Sequence, residues 1–143
     1  MHIFTIGYEA TTVADFLAAL KGAGVKRLVD IRALPLSRRP GFSKTPLKVA
    51  LAEEQIEYLH LRALGTPAAG REAARKGRQA DLERIYREQL QLPEAMAATA
   101  QLRELVAEVP TGLLCFERDP AGCHRSLWLR WEAPEAEVTH LHP

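Results

Sequence analysis

Short hydrophobic runs alternate along the chain with longer segments in which hydrophobic residues recur every three or four positions. Runs of the first kind are typical of buried strands, whereas the spacing of the second kind predicts helices packed on a sheet. Strands are predicted at residues 3–6, 26–31, 56–61, 112–117 and 138–141. Because helical segments separate them, we expect an α/β fold with a mostly parallel sheet of about five strands, flanked by helices.

Capping signals mark the beginnings of two of these helices. Either Thr11 or Thr12 can accept a backbone hydrogen bond at the start of the first one. Thr45 followed by Pro46 is typical of a cap residue with proline at the first helical position. The basic, small-residue segment at 65–77 predicts a loop with some helix. Further helices are predicted at 80–92, 93–108 and 126–131.

The size and composition of the chain are those of an ordinary globular protein. A length of 143 residues suits one compact domain, so residues 1–143 are treated as a single α/β domain. The sequence holds no apolar run long enough to cross a bilayer, and its N-terminus lacks the features of a signal peptide. We therefore expect a cytoplasmic protein without a membrane partner. Its two cysteines are expected to be free thiols or functional groups rather than a structural disulfide.

The charge is balanced in total but uneven along the chain. A formal net charge of +1 gives no global electrostatic argument for nucleic-acid binding. Between residues 26 and 48, however, seven basic residues accompany a single acid, and arginine outnumbers lysine 14 to 5 in the chain. The planar guanidinium suits phosphate and carboxylate groups, which points to an anionic ligand. An arginine-rich coding bias explains the surface arginines equally well.

Polar residues follow four of the predicted strands. They lie at residues 7–9, 30–32, 58–60 and 115–117. The ligand crevice of an open parallel sheet lies beyond the carboxyl ends of its strands, so we expect these segments to form one site.

Residues 115–125 combine both cysteines with Glu117, His124 and Arg125 on a predicted strand-to-helix turn. A cysteine at a helix N-terminus beside cations favours the thiolate, which would make Cys123 a nucleophile or a redox thiol. Cys115 is equally explained as a small strand residue packed in the core. Both could instead bind a metal with His124, but no pair of Cys-x-x-Cys motifs is present. The cofactor is therefore left open, a metal is not favoured, and no metal ligand is assigned.

The loop after the second strand provides a second group of candidates. Ser37, Arg38 and Arg39 combine a hydroxyl group with two cations that can bind phosphate. With Arg32, Arg125 and the N-terminus of the last predicted helix, they would form an anion pocket. A solvated loop, with Arg32 paired to a neighbouring carboxylate, explains the same residues.

Two sets of site residues follow from these clusters. The candidate catalytic residues can transfer protons or act as nucleophiles, and they are Asp30, Glu117, Cys123 and His124. The candidate substrate-binding residues are Tyr8, Arg32, Ser37, Arg38, Arg39, Tyr58, His60 and Arg125.

Motifs along nearly the whole chain resemble the family catalogued as domain of unknown function 488. The most specific is Cys-x-Glu at 115–117 with Cys-His-Arg at 123–125, whereas Thr-Ile-Gly-Tyr at 5–8 is weaker. The segment between Arg125 and Val138 is shorter than the family's pattern. The resemblance is to uncharacterised conserved proteins, and it implies a fold and a shared site rather than a reaction.

Three kinds of function fit the sequence. The first is an enzyme that acts on a phosphorylated or nucleic-acid-related anionic substrate at the carboxyl ends of the strands. The second is a binding or regulatory module that recognises an anion or a nucleic acid without turnover. The third and narrowest is a thiol-redox or metal-binding protein.

Trp128 and Trp131 lie on one helical face, which is either core or a contact in a homodimer.

Overall fold

Five strands alternate with six α-helices in the computed structural model, which describes residues 1–143. The strands are β1 (His2–Gly7), β2 (Arg27–Asp30), β3 (Glu57–His60), β4 (Thr111–Cys115) and β5 (Glu137–Leu141). The helices are α1 (Val13–Gly22), α2 (Lys44–Glu53), α3 (Ala68–Arg75), α4 (Gln79–Leu90), α5 (Pro93–Glu108) and α6 (His124–Glu132). Short 3-10 turns are formed by Arg62–Leu64 and Pro120–Gly122.

The strands form one sheet in the order β3-β2-β4-β1-β5, and every neighbouring pair is parallel. The predicted α/β class and parallel sheet are therefore confirmed. Both faces of the sheet are buried. Ile3 and Leu113 point into a core of 17 residues shared with α3 to α6, and Ile6 and Leu114 point into a core of 12 residues shared with α1 and α2.

The position of β4 determines where a crevice can form. It lies between β1 and β2 in the sheet. After β1 the chain continues to α1 and after β2 to α2, and both helices lie on the same face of the sheet. From β4 the chain continues to α6 on the opposite face. Loops that diverge from adjacent parallel strands open a crevice at the carboxyl ends, so the fold places one at the end of β4.

Local sequence signals explain the start of α1 but not that of α2. Thr12 caps α1, and its side chain accepts a hydrogen bond from the backbone N of Asp15 at 3.1 Å, as predicted. The cap predicted for α2 at Thr45 is wrong, because α2 begins at Lys44 after Ser43. Proline is tolerated anywhere in a first helical turn, where its missing N–H has no partner, so Pro46 does not fix the start. No helix combines the length and the apolar character needed to cross a membrane.

Candidate functional site

The carboxylate of Asp30, at the end of β2, is completely buried and held by Arg32 and Tyr58. It accepts hydrogen bonds from Arg32 Nε at 2.9 Å, from Arg32 Nη2 at 2.7 Å and from the Tyr58 hydroxyl. Burial and the negative charge of Asp30 raise the pKa of Tyr58, so its hydroxyl remains a donor. Burial alone would lower the pKa of Arg32, but its bonds to Asp30 raise it above the ordinary value. The network therefore fixes a charged Arg32 in one orientation.

A cavity of about 280 Å³ lies beside this network, at the crevice that the strand order creates. Its polar lining includes Tyr8, Arg32, Arg71, Arg75, Glu117 and His124. Apolar side chains complete the lining, and three of them, Leu34, Leu36 and Phe116, are 51%, 71% and 43% exposed. The cavity thus combines cationic side chains on its walls with apolar side chains that reach solvent.

Two of the cations come from α3 and were missed by sequence reasoning. Arg71 and Arg75 lie four positions apart, which places them on the same face of the helix. Arg71 donates a hydrogen bond from Nη1 to the Thr66 carbonyl at 2.8 Å, and neither arginine belongs to an ion pair. The basic segment 65–77 is predicted to be a loop with some helix, and the structure forms α3 within it. The four-residue spacing of its arginines was the signal that could have identified them.

Glu117 is the acidic residue of the cavity lining. Burial raises the pKa of its carboxyl, the positive charge of Arg125 opposes that shift, and Glu9 adds to it. The loop that holds Glu117 passes directly over the end of β1. The approach is so close that a Cβ atom on Gly7 would lie 1.8 Å from the Glu117 carbonyl oxygen. Glycine is therefore required at residue 7, and its absent side chain brings β1 and this loop together.

Cys115 and Cys123 are joined by a disulfide, and both are buried. The expectation of free thiols is wrong for this structure. That expectation came from cellular compartment and cysteine number, neither of which describes the local turn. The 3-10 turn Pro120–Gly122 folds the chain back, so that residues eight apart meet where β4 ends and α6 begins. The two sulfurs and a ring nitrogen of His124 lie within 4.8 Å of one another, but a bonded sulfur is not a thiolate that could ligate a metal.

His124 is a buried, neutral imidazole whose tautomer follows from its contacts. Its Nε2 lies 2.8 Å from the carbonyl oxygen of Ile31. Since a carbonyl only accepts, Nε2 carries the hydrogen. Burial, reinforced by the charge of Arg125, lowers the pKa of His124 to about 4. Nδ1 is consequently unprotonated at neutral pH, and it lies 3.7 Å from Cys123 Sγ.

Arg125 is a completely buried cation without an anionic partner. Its Nη1 donates to Cys115 Sγ at 3.2 Å and its Nη2 to the Arg118 carbonyl at 3.4 Å, while Nε has no hydrogen-bond partner. Burial lowers the pKa of Arg125 to about 10. The ion pairs of the protein do not include Arg125.

Most of the predicted site residues lie at this cavity or directly behind it. Tyr8, Arg32, Glu117 and His124 line it. Asp30 and Tyr58 hold Arg32 from behind, Cys123 is bonded to the lining residue Cys115, and Arg125 contacts that same sulfur.

The remaining predicted residues do not line the cavity. His60 contacts the Arg32 carbonyl through Nε2 at 2.7 Å. Ser37 Oγ accepts from the backbone N of Arg39, and the Arg39 guanidinium donates to the Thr11 carbonyl. Arg38 is exposed to solvent. The contacts of Ser37 and Arg39 hold their loop in place.

No curated protein and no solved structure matches the chain. A family model described as domain of unknown function DUF488 matches residues 12–131. The matched range contains the cysteines, Glu117, His124 and Arg125, together with the arginines of α3. Because this match covers well over half of the chain, the protein belongs to the DUF488 family.

Proposed function

We propose that the protein is a cytoplasmic enzyme acting on a small phosphorylated or nucleotide-like anion in the cavity at the carboxyl ends of β1, β2 and β4. One observation carries this proposal. The cavity combines the unpaired cations Arg71 and Arg75 with Glu117, a carboxyl group that keeps its proton to a higher pH than usual. Perturbed titratable groups in a cleft are typical of catalytic sites.

The arginines of the cavity have different roles in this proposal. Asp30 already neutralises Arg32, which can therefore contribute directed hydrogen bonds but little net charge. The attraction for an anion comes from Arg71 and Arg75, whose guanidinium groups can each bind two phosphate oxygens. Asp30 acts as a positioning residue, since its oxygens are occupied by Arg32 and Tyr58.

The size of the cavity limits the substrate. A volume of about 280 Å³ lies just below the usual range for ligand pockets, which begins at about 300 Å³. It suits a phosphorylated small molecule or a single nucleotide unit, and a nucleic acid could enter only through one unstacked residue. The apolar side chains of Leu34 and Phe116 suit the uncharged part of such a molecule.

Glu117 supplies the acid–base chemistry. A protonated carboxyl beside a bound anion can donate its proton to a leaving group, which leaves the carboxyl ionised, and it takes up a proton from solvent before the next turnover. This role fits hydrolysis or transfer at a phosphate-bearing substrate, in which the arginines offset the charge that develops.

A ligand panel of inorganic phosphate, mononucleotides and sugar phosphates tests the proposal by thermal shift and by calorimetry. The double variant Arg71→Ala, Arg75→Ala should bind the best ligand at least about tenfold more weakly, because it loses both unpaired cations. Arg84→Ala is the matched control, since Arg84 lies outside the cavity and pairs with Asp81 at 3.7 Å. An unchanged affinity of the double variant would contradict the proposal.

Turnover is tested with Glu117→Gln on every ligand that binds. Product analysis by chromatography should show a loss of about 100-fold or more in rate with little change in affinity. Binding without any product in the wild type would instead identify a non-catalytic anion-binding module.

A further inference from the structure

Arg125 is a completely buried cation whose surroundings do not satisfy it in the oxidised protein. Placing a guanidinium completely out of water is costly unless an anion and a full set of acceptors compensate it. Glu117 and Asp119 influence Arg125 only through space, beyond ion-pair distance, and its Nε has no partner. The nearest atom that can become an anion is Cys115 Sγ, 3.2 Å from Nη1.

We infer that the Cys115–Cys123 disulfide is redox-active and that its reduction by a dithiol leaves Cys115 as a thiolate nucleophile, paired with Arg125 in the lining of the cavity. Reduction would then supply the missing partner of the buried cation. The inference does not depend on the proposed substrate, because it concerns only the two sulfurs and the groups around them.

The charges around Cys115 favour its thiolate. They come from α6, from the segments that follow β1, β2 and β4, and from α3 across the cavity. The groups are Arg125, His124, Tyr8, Arg32 with Asp30 behind it, Glu117, Arg71 and Arg75. Cations outnumber anions in this set, and the only one in contact with Cys115 Sγ is Arg125. A neighbouring cation lowers the pKa of a cysteine and so increases the fraction that is ionised at neutral pH.

Cys123 is suited to remain a thiol. The unprotonated Nδ1 of His124, 3.7 Å from Cys123 Sγ, can accept a hydrogen bond from an S–H group. The Arg125 backbone N–H at the start of α6 donates to the same sulfur at 3.5 Å, but this neutral donor stabilises negative charge less than the guanidinium beside Cys115 does. The reduced pair is therefore asymmetric, with the charge on Cys115 and the proton on Cys123.

The reaction balances with one dithiol as the reductant. A thiolate of the dithiol enters the cavity and attacks Cys115 Sγ, the Cys115–Cys123 bond breaks, and Cys123 leaves and takes up a proton. The second thiol of the reductant, having lost its proton to solvent, displaces Cys115 as a thiolate and closes a disulfide in the reductant. Two electrons pass to the protein, one proton stays on Cys123, and one proton is released.

Thiolate absorbance at about 240 nm, followed against pH in the two single-cysteine variants, tests the inference without a reagent that must reach the buried sulfurs. Cys123→Ser reports Cys115 alone, and Cys115→Ser reports Cys123 alone. The Cys115 signal should have its midpoint below about pH 7, and the Cys123 signal near or above about pH 8.5, the usual value for a free cysteine. Equal or reversed midpoints would overturn the inference.

Arg125→Gln in the Cys123→Ser background should raise the Cys115 midpoint by at least about one pH unit, a tenfold change in thiolate fraction. In the chain with both cysteines, the same substitution should shift the equilibrium with dithiothreitol at least about tenfold toward the disulfide. If Arg125→Gln does not fold, the two midpoints above still decide the matter. A wild-type disulfide that resists every concentration of dithiothreitol in the folded protein would also overturn the inference, whereas failure of the ligand panel would affect only the proposed function.

Discussion

Replacing Arg32 by methionine removes the cation that neutralises the buried carboxylate of Asp30. Arg32 donates two side-chain hydrogen bonds to Asp30, at 2.9 Å from Nε and 2.7 Å from Nη2. Methionine fills much of the same space but leaves the negative charge unpaired. Breaking a buried ion pair from one side costs about 3–5 kcal/mol. Since small domains have a free energy of unfolding of about 5–15 kcal/mol, this loss would be a large part of the total.

We therefore expect Arg32→Met to lower the free energy of unfolding by about 3–5 kcal/mol in urea denaturation at neutral pH, followed by circular dichroism with the disulfide intact. The double variant Asp30→Asn, Arg32→Met removes the charge as well and should recover part of the loss. Arg84→Met, whose pair with Asp81 is at the surface, should have little effect. A loss below about 1 kcal/mol, or a double variant no more stable than the single one, would refute the reasoning.

Two further predictions concern stability. The pKa of His124 is about 4 in the folded protein and ordinarily 6.5, so the unfolded chain binds a proton that the folded one excludes. The free energy of unfolding should fall by on the order of 3 kcal/mol as the pH drops from about 6.5 to about 4. His124→Gln, which keeps a donor for the Ile31 carbonyl, should show a shallower dependence of this free energy on pH. Parallel pH curves for the variant and the wild type would contradict the prediction. Gly7→Ala should lower the free energy of unfolding by at least about 2 kcal/mol in the same assay, because the new methyl group would clash with the Glu117 carbonyl. Gly22→Ala, with open space around residue 22, should not destabilise the protein. Equal effects of the two substitutions would argue against the close approach of the Glu117 loop to β1.

The sequence predicted the sheet because its strands are hydrophobic on both faces and helical segments separate them. The same reasoning placed Tyr8, Arg32 and Glu117 at strand ends and His124 on the turn before the last helix, and all four line the cavity. Trp128 proved to be core, completely buried with its Nε1 donating to Thr99 Oγ1 at 3.1 Å.

The parts that escaped sequence reasoning depend on local or long-range geometry. α3 consists mainly of alanine, glycine and charged residues, so it lacks the spacing of large apolar residues that indicates a helix, and its arginines were not assigned to the site. The disulfide depends on how the turn at Pro120–Gly122 folds back. The lack of a partner for Arg125 is a property of its three-dimensional surroundings, which no motif records.

The place of β4 in the sheet has a consequence for the order in which the protein can be assembled. β1 and β2 are not hydrogen-bonded to each other, because β4 separates them and pairs with both. A ribosome that has released the first three strands has therefore produced one strand pair, β2 with β3, and a separate β1, whose facing edges await residues 111–115. Such unpaired edges are prone to wrong association until the missing strand arrives. The strand that closes the gap also brings Cys115 and is followed by Glu117, so the joining of β1 to β2 and the delivery of these site residues occur together, before β5 is added at the far edge of β1.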